Sequence, residues 1–345
     1  MNSFELGALL VQDGITTGAI YALLGVALVL VFSVTRIIFF GQGEFVTFGA
    51  LTLAWLQAGQ LPGTVWLLLA MALIAGALEA AAALREGQPR RLARIALYYL
   101  VAPGALSALM VWAAPRGLPL VLQCLLSMAI VTPLGPLLYR LIYRPMANAS
   151  VLVLLITSVG VHFVLAGIGL WLFGVEGYRT PALWDGDLLL GNWAINGQGV
   201  IVLAAAIALI VLLALVFGYT LSGKALRAAA SNATGAKLLG ISVAFSGQMS
   251  FAIAAFIGAL CGILIAPIVT IYYDSGLLIG LKGFVAAIFG GMASYGFTLL
   301  GAVTIGIVEA FSSFLASAYK ESIVFLLVIP VLWWLSRRGG ATEEH

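Results

Sequence analysis

The chain has 345 residues, of which 63% are hydrophobic and only 8% are charged. This composition excludes a water-soluble globular domain and is typical of a protein that crosses a membrane many times. The net charge of +3 is small and scattered, which does not favour nucleic-acid binding, and Cys124 and Cys261 lie inside apolar stretches, so neither a disulfide nor a metal site is indicated.

Eleven apolar stretches are long enough, or nearly long enough, to cross a bilayer as helices. They predict an all-α polytopic integral membrane protein that forms one domain over residues 1–345. We expect about nine to eleven transmembrane helices, some of them broken or re-entrant. The predicted crossings cover residues 12–34, 39–57, 64–84, 95–114, 118–139, 149–173, 200–219, 247–272, 277–292, 297–316 and 322–336.

Basic residues indicate how these crossings are oriented. Cytoplasmic loops of membrane proteins carry an excess of Lys and Arg. With the amino terminus outside and the carboxyl terminus inside, twelve of the sixteen basic residues face the cytoplasm, so this orientation is predicted. The twelve are Arg36, Arg85, Arg90, Arg91, Arg94, Arg140, Arg144, Lys224, Arg227, Lys237, Arg337 and Arg338.

A break is predicted at the start of the second crossing, where Gly41 and Gly43 interrupt an apolar run. Glycines at such places let the backbone bend, as in the discontinuous helices that line transport paths. Gln42 and Glu44 lie at the same bend, and Gly41, Gln42, Gly43 and Glu44 are candidates for the translocation path. A carboxylate inside a membrane is costly, so Glu44 is either a residue of the translocation path or a structural glutamate satisfied by a partner.

The crossing over residues 149–173 contains Ser158 and His162. Ser158 is a further candidate for the translocation path. The only other histidine is His345, so a histidine metal cluster is excluded and a proton relay lacks obvious partners. We expect His162 to be a hydrogen-bonded structural residue.

Glu79, Arg140 and Arg144 are charged residues that are not candidates for the translocation path. Glu79 lies near Arg85 at the inner end of a crossing, where it is expected to be solvated or paired. Arg140 and Arg144 either orient the chain by their charge or contact a cytoplasmic partner.

The longest polar break, residues 221–242, lies between two uncharged apolar stretches. Its content of Ala, Leu and Lys favours one short amphipathic helix, bracketed by Gly223 and Gly240. Lys224 and Arg227 place this helix on the cytoplasmic side.

At the start of this break, the spacing of Gly218, Gly223 and Lys224 matches that of a phosphate-binding loop. A genuine loop needs a preceding strand and a Ser or Thr after the lysine, whereas here a membrane span precedes it and Ala225 follows. We therefore expect this chain to bind no nucleotide and no other cofactor.

Two charged residues lie in the carboxyl-terminal crossings. Glu309 is a second acid inside the membrane and a candidate for the translocation path. Lys282 lies near the outer edge of a short Gly-rich helix, where a lysine readily extends to water, so a lesser role is expected. Gly258 and Gly262 favour close contact between helices.

Together these segments resemble the branched-chain amino acid permease family of ABC importers, of LivH type. The resemblance is carried by GITTGAIYALLGVALVLVFSV and RIIFFGQGEFVTFGA near the start, by residues 221–242, and by LKGFVAAIFGGMASYG and GAVTIGIVEAFSSF. It implies that residues 221–242 form a cytoplasmic coupling segment that docks in a groove of an ATPase subunit. The residues expected to couple to that ATPase are Gly223, Lys224, Arg227, Ala228, Asn232, Lys237, Leu239 and Gly240.

The resemblance also implies the other parts of an importer in the bacterial inner membrane. ATP and Mg are expected in the partner ATPase, and a second related permease subunit is expected beside this one. An external solute-binding protein is the third partner, and the acidic outer loop with Asp185 and Asp187 is a candidate surface for it. The implied cargo is a small solute, most commonly a branched-chain amino acid, with urea or amides as alternatives.

Residues 65–118 are where the resemblance is weakest. Two predicted crossings joined by REGQPRRLAR stand there, whereas relatives pass more directly to the equivalent of LLYRLIYRP at residues 137–145. We therefore predict an inserted helix pair, which preserves the orientation of everything that follows.

A self-contained secondary transporter or channel is the alternative class of function. In that case Glu44 and Glu309 would serve as coupling acids on broken helices, and transport would survive without an ATPase. An enzyme is not indicated, because the crossings contain no paired acids at helical spacing and no His–Asp or His–Cys constellation.

Overall fold

The structure, a computed structural model, describes residues 3–190 and 193–339. Over these residues the chain is a bundle of helices with one antiparallel hairpin, in which β1 (Asp187–Leu190) pairs with β2 (Trp193–Asn196). The predicted all-α membrane fold is confirmed. The helices are α1 Ser3–Thr35, α2 Gln42–Gln57, α3 Thr64–Arg85, α4 Arg90–Ala96, α5 Ala102–Ala113, α6 Leu120–Val131, α7 Leu134–Leu138, α8 Val151–Phe173, α9 Gly197–Tyr219, α10 Leu221–Ser231, α11 Ala233–Leu238, α12 Val243–Ile265, α13 Ser275–Phe289, α14 Tyr295–Leu315, α15 Lys320–Leu326 and α16 Val328–Gly339.

Within the described residues, nine helical segments are long and apolar enough to cross a membrane. A π-helical turn joins α4 to α5, and α6 continues through α7, so each of these pairs forms one such segment. The crossings predicted over 39–57 and 277–292 contain the shorter helices α2 and α13, of 16 and 15 residues. The carboxyl terminus and His345, for which predictions were made, lie outside the described residues.

The break predicted near Gly41 is confirmed. Helix α1 ends at Thr35, residues 36–41 are not helical, and α2 begins at Gln42. Every residue from Gln42 to Ala54 is buried. The unwound segment of residues 36–41 therefore leads the chain from the end of α1 into the interior of the bundle.

Glycines let the central helices approach one another closely. Gly14, Gly18 and Gly25 of α1 lie beside Ile307, Val303 and Thr298 of α14, a register that makes these two helices antiparallel. The close contact predicted for Gly258 and Gly262 is confirmed, since a Cβ at either position would meet Phe45 or Val46 of α2. Helix α2 is thus enclosed on this side by α12.

Helices α3 to α6 lie at the edge of the bundle and expose large apolar side chains such as Leu78 and Tyr98, as expected for a surface facing lipid. Glu79 of α3 is paired, as expected, and its partners are Arg140 and Arg144, the latter with Nη1 3.6 Å from Oε1. These ion pairs fix the edge helices to the segment that follows α7.

The two aqueous faces of the bundle are separated by α9, whose 23 residues extend about 35 Å. One end of α9 follows the hairpin, and the other end enters α10. The loop before the hairpin is fastened to the segment after α12, because Tyr178 and Ile271 exchange two backbone hydrogen bonds of 2.9 Å. Because α9 has the hairpin at one end and residues 221–242 at the other, these two parts of the chain lie on opposite faces.

Candidate functional site

Residues 221–242, hereafter the coupling segment, form two helices where the sequence predicted one. The division is at Asn232, whose backbone is extended and whose side-chain oxygen accepts a 2.8 Å hydrogen bond from the N–H of Gly235. Asparagine is a favoured residue at this N-terminal capping position. Asn232 therefore ends α10 and starts α11, and the single-helix prediction was wrong.

One face of the coupling segment packs against the membrane helices. Leu226, Ala229 and Ala236 are buried in a cluster with Leu30 and Val34 near the end of α1. This contact fixes both α10 and α11 to the end of α1 that precedes the unwound segment.

Two of the predicted coupling residues belong to this packed side. Gly223 is buried, and a Cβ there would meet the backbone of Val216 and Phe217 in α9, so it permits the sharp turn between the two helices. Ala228 is half-buried against the same cluster. Gly223 is thus enclosed within the chain and has a packing role.

The other face of the coupling segment is exposed. It presents two adjacent leucines, Leu238 and Leu239, with 85% and 80% of their surfaces exposed. Sequence reasoning selected Leu239 and missed Leu238, although the pair stands out as apolar in a polar segment. The remaining predicted coupling residues are also exposed: Lys224, Arg227, Asn232, Lys237 and Gly240.

A buried pair of ionisable side chains lies deep inside the bundle. Oε1 of Glu44, in the first turn of α2, lies 2.8 Å from Nδ1 of His162. The Glu44 side chain has no exposed surface and that of His162 has 6%. His162 lies at the midpoint of α8, so the pair is near the middle of the membrane. His162 is hydrogen-bonded, as expected, and its partner is Glu44, which the sequence did not identify.

The start of α2 also carries buried oxygens without a hydrogen-bond partner among the described residues. These are Oε2 of Glu44, Oε1 of Gln42 and Oγ1 of Thr47. The Gln42 amide donates to the carbonyl of Ala254 at 2.9 Å, so its nitrogen is satisfied. Unsatisfied buried acceptors are rare in proteins and mark this turn as a candidate for binding water or solute.

An aromatic cluster closes the space between this turn and the coupling-segment side of the bundle. Phe39 of the unwound segment packs against Phe45, Tyr143 and Phe251, with ring centroids 4.9 to 5.9 Å apart. The Tyr143 hydroxyl lies 3.0 Å from Oγ of Ser158. Ser158 is one helical turn before His162, so the structure brings this predicted path residue close to the Glu44 pair.

A second buried charge cluster joins four helices. Nζ of Lys282 lies 2.6 Å from Oε1 of Glu309 and 3.1 Å from Oε1 of Glu321. The hydroxyl of Tyr21 donates to Oε2 of Glu309 at 2.7 Å. The Lys282 side chain is only 6% exposed, so the expectation that it extends to water was wrong. The two carboxylates compensate for the cost of burying its charge.

Glu309 also lines a cavity of about 410 Å³ between α1, α14 and the carboxyl-terminal end of α12. Asp13, Thr17, Tyr21 and Ser313 are its other polar lining residues, and Leu10 and Phe314 are among its apolar ones. Glu309 therefore remains a candidate for the translocation path.

The two charge clusters are connected through glycine contacts. Gly43, next to Glu44, packs directly on the backbone of Gly276 in α13, and Gly280 lies against Gly43. Lys282 is two residues beyond Gly280 on the same helix. Because no side chains separate α2 from α13 here, a shift of one helix must displace the other.

One family model matches nearly the whole chain. The family model described as "Branched-chain amino acid transport system / permease component" matches residues 10–86 and 91–332. The match includes both helices of the predicted inserted pair and is interrupted only at residues 87–90, so the insertion stays a prediction.

Individual relatives carry related names. The "High-affinity branched-chain amino acid transport system permease protein LivH" of Escherichia coli (strain K12) is 29% identical over 213 residues, which cover 60% of this chain and 69% of that protein. The corresponding BraD protein of Pseudomonas aeruginosa is 28% identical over 214 residues, with the same coverage. No solved structure matches the chain significantly. With nearly its whole length matched by the family model, the chain belongs to the family of permease components of branched-chain amino acid transport systems.

Proposed function

We propose that this chain is the membrane-spanning subunit of an ATP-driven importer of branched-chain amino acids in the bacterial inner membrane. The names of LivH and BraD support the cargo. The excess of basic residues on the coupling-segment side supports a cytoplasmic location for that segment, an external amino terminus and a cytoplasmic carboxyl terminus.

One structural observation carries this proposal: the coupling segment is connected to the buried Glu44–His162 pair through a short stretch of chain. Its helices pack on Leu30 and Val34, near the end of α1. Residues 36–41 then lead directly to the first turn of α2, where Glu44 contacts His162. Movement of the coupling segment therefore has a direct route to the centre of the membrane.

A cytoplasmic ATPase is the proposed source of that movement, and ATP and Mg are bound by the ATPase. Leu238 and Leu239 are suited to an apolar groove on its surface, since burying two exposed leucines removes apolar area from water. Lys224, Arg227 and Lys237 are suited to acidic residues at the rim of that groove.

The remaining partners are proposed on the same basis. A second related permease subunit stands beside this chain in the membrane. On the outer face, an external solute-binding protein docks near Asp185 and Asp187, both of which are exposed. Complementary charge at such a contact increases the rate of association.

A self-contained secondary transporter is the second candidate, because Glu44 and His162 form a buried pair of titratable groups of the kind that proton-coupled carriers use. This class requires no ATPase at the coupling segment, so the exposed leucines would have no function.

Copurification tests the proposed function. The full-length protein is extracted from its native membrane in mild detergent, and its associated subunits are identified by mass spectrometry. We expect an ATPase whose hydrolysis is stimulated by leucine together with a solute-binding protein. Purification of the chain without any ATPase, with full leucine transport retained, would instead support the secondary transporter.

A further inference from the structure

Residues 178–183, hereafter the strap, are fastened to the chain where it leaves α12. Donors of the strap hydrogen-bond backbone carbonyls of that chain: Tyr178 N–H to Ile271 at 2.9 Å, Arg179 Nε to Pro267 at 2.9 Å and Thr180 N–H to Ala266 at 3.3 Å. Helix α12 ends at Ile265, and carbonyls at or beyond the end of a helix need partners from elsewhere. The strap supplies these partners and thereby fixes the position of the end of α12.

Gln198 connects the strap to α9 and to α12. Its side chain lies in the first turn of α9 and is buried. Its Oε1 accepts a 2.9 Å hydrogen bond from the N–H of Leu183 in the strap, and its Nε2 donates at 2.9 Å to the carbonyl of Leu264 in α12. Asn196, the last residue of β2, accepts a 2.8 Å bond from the N–H of Gln198. The hairpin, the strap and the end of α12 therefore meet at one buried amide.

The same end of α12 forms a wall of the cavity of about 410 Å³ that Glu309 lines. Ile265, Ile268 and Val269 belong to this wall. The carbonyls held by the strap and by Gln198 belong to residues that alternate with them along the chain. A displacement of the strap must therefore change the position of the wall.

The residues that follow the strap present a surface for a protein partner. Trp184 is 41% exposed, and Asp185 and Asp187 beside it are also exposed. Tryptophan is enriched among the residues that carry binding energy at interfaces, and the two acids suit a partner with a basic rim. A Cβ at Gly197 would meet both the backbone and the ring of Trp184. A partner that binds Trp184 therefore acts directly on the start of α9, next to Gln198.

We propose that Arg179 and Gln198 are positioning residues through which a protein docked on the hairpin moves the wall of this cavity. The inference rests on the proposed function, because that protein is the proposed external solute-binding partner. Docking displaces Trp184 and the strap, and the hydrogen bonds of Arg179 and Gln198 carry the end of α12 with them. The cavity then opens on the face where the cargo is delivered.

Labelling of a cysteine in the cavity tests this route. Ser313 is exposed and lines the cavity, so Ser313→Cys serves as the reporter once its leucine uptake is verified. The complete transporter is reconstituted and treated with a membrane-impermeant maleimide, with and without leucine-loaded solute-binding protein, and mass spectrometry follows modification at position 313. We expect the binding protein to raise the labelling rate by about fivefold or more, which is the population change expected when one or two hydrogen bonds are released.

Variants of the two positioning residues separate the route from docking and from folding. Gln198→Met keeps the size of the side chain but loses both of its bonds, and Arg179→Ala loses the bond to Pro267. Each is expected to lose the response of the labelling rate while its affinity for the binding protein stays that of the wild type. A general loss of structure would weaken both. Arg179→Lys keeps a donor, and Glu176→Gln changes an exposed residue of the same loop, so both should respond normally.

Two results would overturn this route and leave the proposed function intact, provided that ATP-driven leucine uptake is normal. One is a labelling rate that the binding protein does not change in the otherwise unaltered chain. The other is a full response in both Gln198→Met and Arg179→Ala. Leucine uptake that requires neither an ATPase nor a solute-binding protein would refute the proposed function, and this inference with it.

Discussion

Glu44 and His162 are 118 residues apart in the chain, and their side chains meet at 2.8 Å near the middle of the membrane. Glu44 begins a helix that starts inside the bundle, and His162 lies halfway along a helix that crosses it. The pair therefore fixes the discontinuous helix to a continuous one. A movement of the unwound segment would therefore either be opposed by this contact or require it to break.

Removal of one member of this pair is predicted to destabilise the protein. Glu44→Ala leaves His162 buried without its hydrogen-bond partner, and an unsatisfied buried polar group of this kind costs about 1 to 3 kcal/mol of the free energy of unfolding. Denaturant titration in detergent measures this loss. The control is Glu86→Ala, which removes an exposed ion pair with Arg91 and should cost less than about 1 kcal/mol. Equal losses in the two variants would contradict the importance of the buried pair.

The double variant Glu44→Gln, His162→Gln tests the coupling between the two side chains. If they interact as described, its loss of stability should be smaller than the sum for the two single variants. Strict additivity would show that the observed contact contributes nothing to stability.

Gly43 is predicted to tolerate no side chain. A Cβ at this position would overlap the carbonyl group of Gly276, and overpacking of this kind costs about 1 to 3 kcal/mol. The matched control is Gly167→Ala in α8, where a Cβ would meet nothing within 4 Å. That change should stabilise the helix by up to about 1 kcal/mol. Thermal unfolding of the two variants should therefore shift in opposite directions, and a shift in the same direction would contradict the proposed close contact.

Tyr21→Phe is predicted to weaken the second charge cluster. It removes the hydroxyl that donates to Glu309 at 2.7 Å, and a hydrogen bond to a charged group contributes about 1.5 to 3 kcal/mol. Tyr98→Phe, at an exposed position, should have no measurable effect on the unfolding temperature. The cluster would be unimportant for stability if both variants unfolded at the temperature of the wild type.

Changes on the exposed face of the coupling segment are predicted to affect activity and leave the fold intact. Arg227→Glu reverses an exposed charge, and Leu238→Ser together with Leu239→Ser removes the exposed apolar pair. Leucine-stimulated ATP hydrolysis and uptake by the assembled complex should both fall, while the unfolding temperature of the chain stays unchanged. Arg227→Lys keeps the charge and should preserve activity. Normal uptake in Arg227→Glu would refute the proposed docking surface.

The architecture and the broken helix could be predicted from local features of the sequence. Long apolar stretches indicate crossings wherever they occur, and Gly41 and Gly43 mark a bend without reference to any other part of the chain. The division of the coupling segment was also accessible, because Asn232 is a typical capping residue. It was missed because the surrounding Ala and Leu favour continued helix.

The partners of buried charges could not be predicted in the same way. Glu44 and His162 lie on helices separated by five others along the chain, and the hydropathy pattern does not reveal which helices pack together. Lys282 was expected to reach water because lysine at a membrane edge usually does. Its actual partners, Glu309 and Glu321, come from helices α14 and α15, and their proximity depends on the tertiary fold.

Leucine uptake into proteoliposomes tests most directly whether an external ATPase drives this subunit through its coupling segment. The chain is reconstituted alone, and again with its copurified ATPase, companion permease and solute-binding protein, with ATP on the cytoplasmic side. We predict uptake only in the complete system and only with hydrolysable ATP. Uptake by the chain alone at the rate of the complete system would contradict the account.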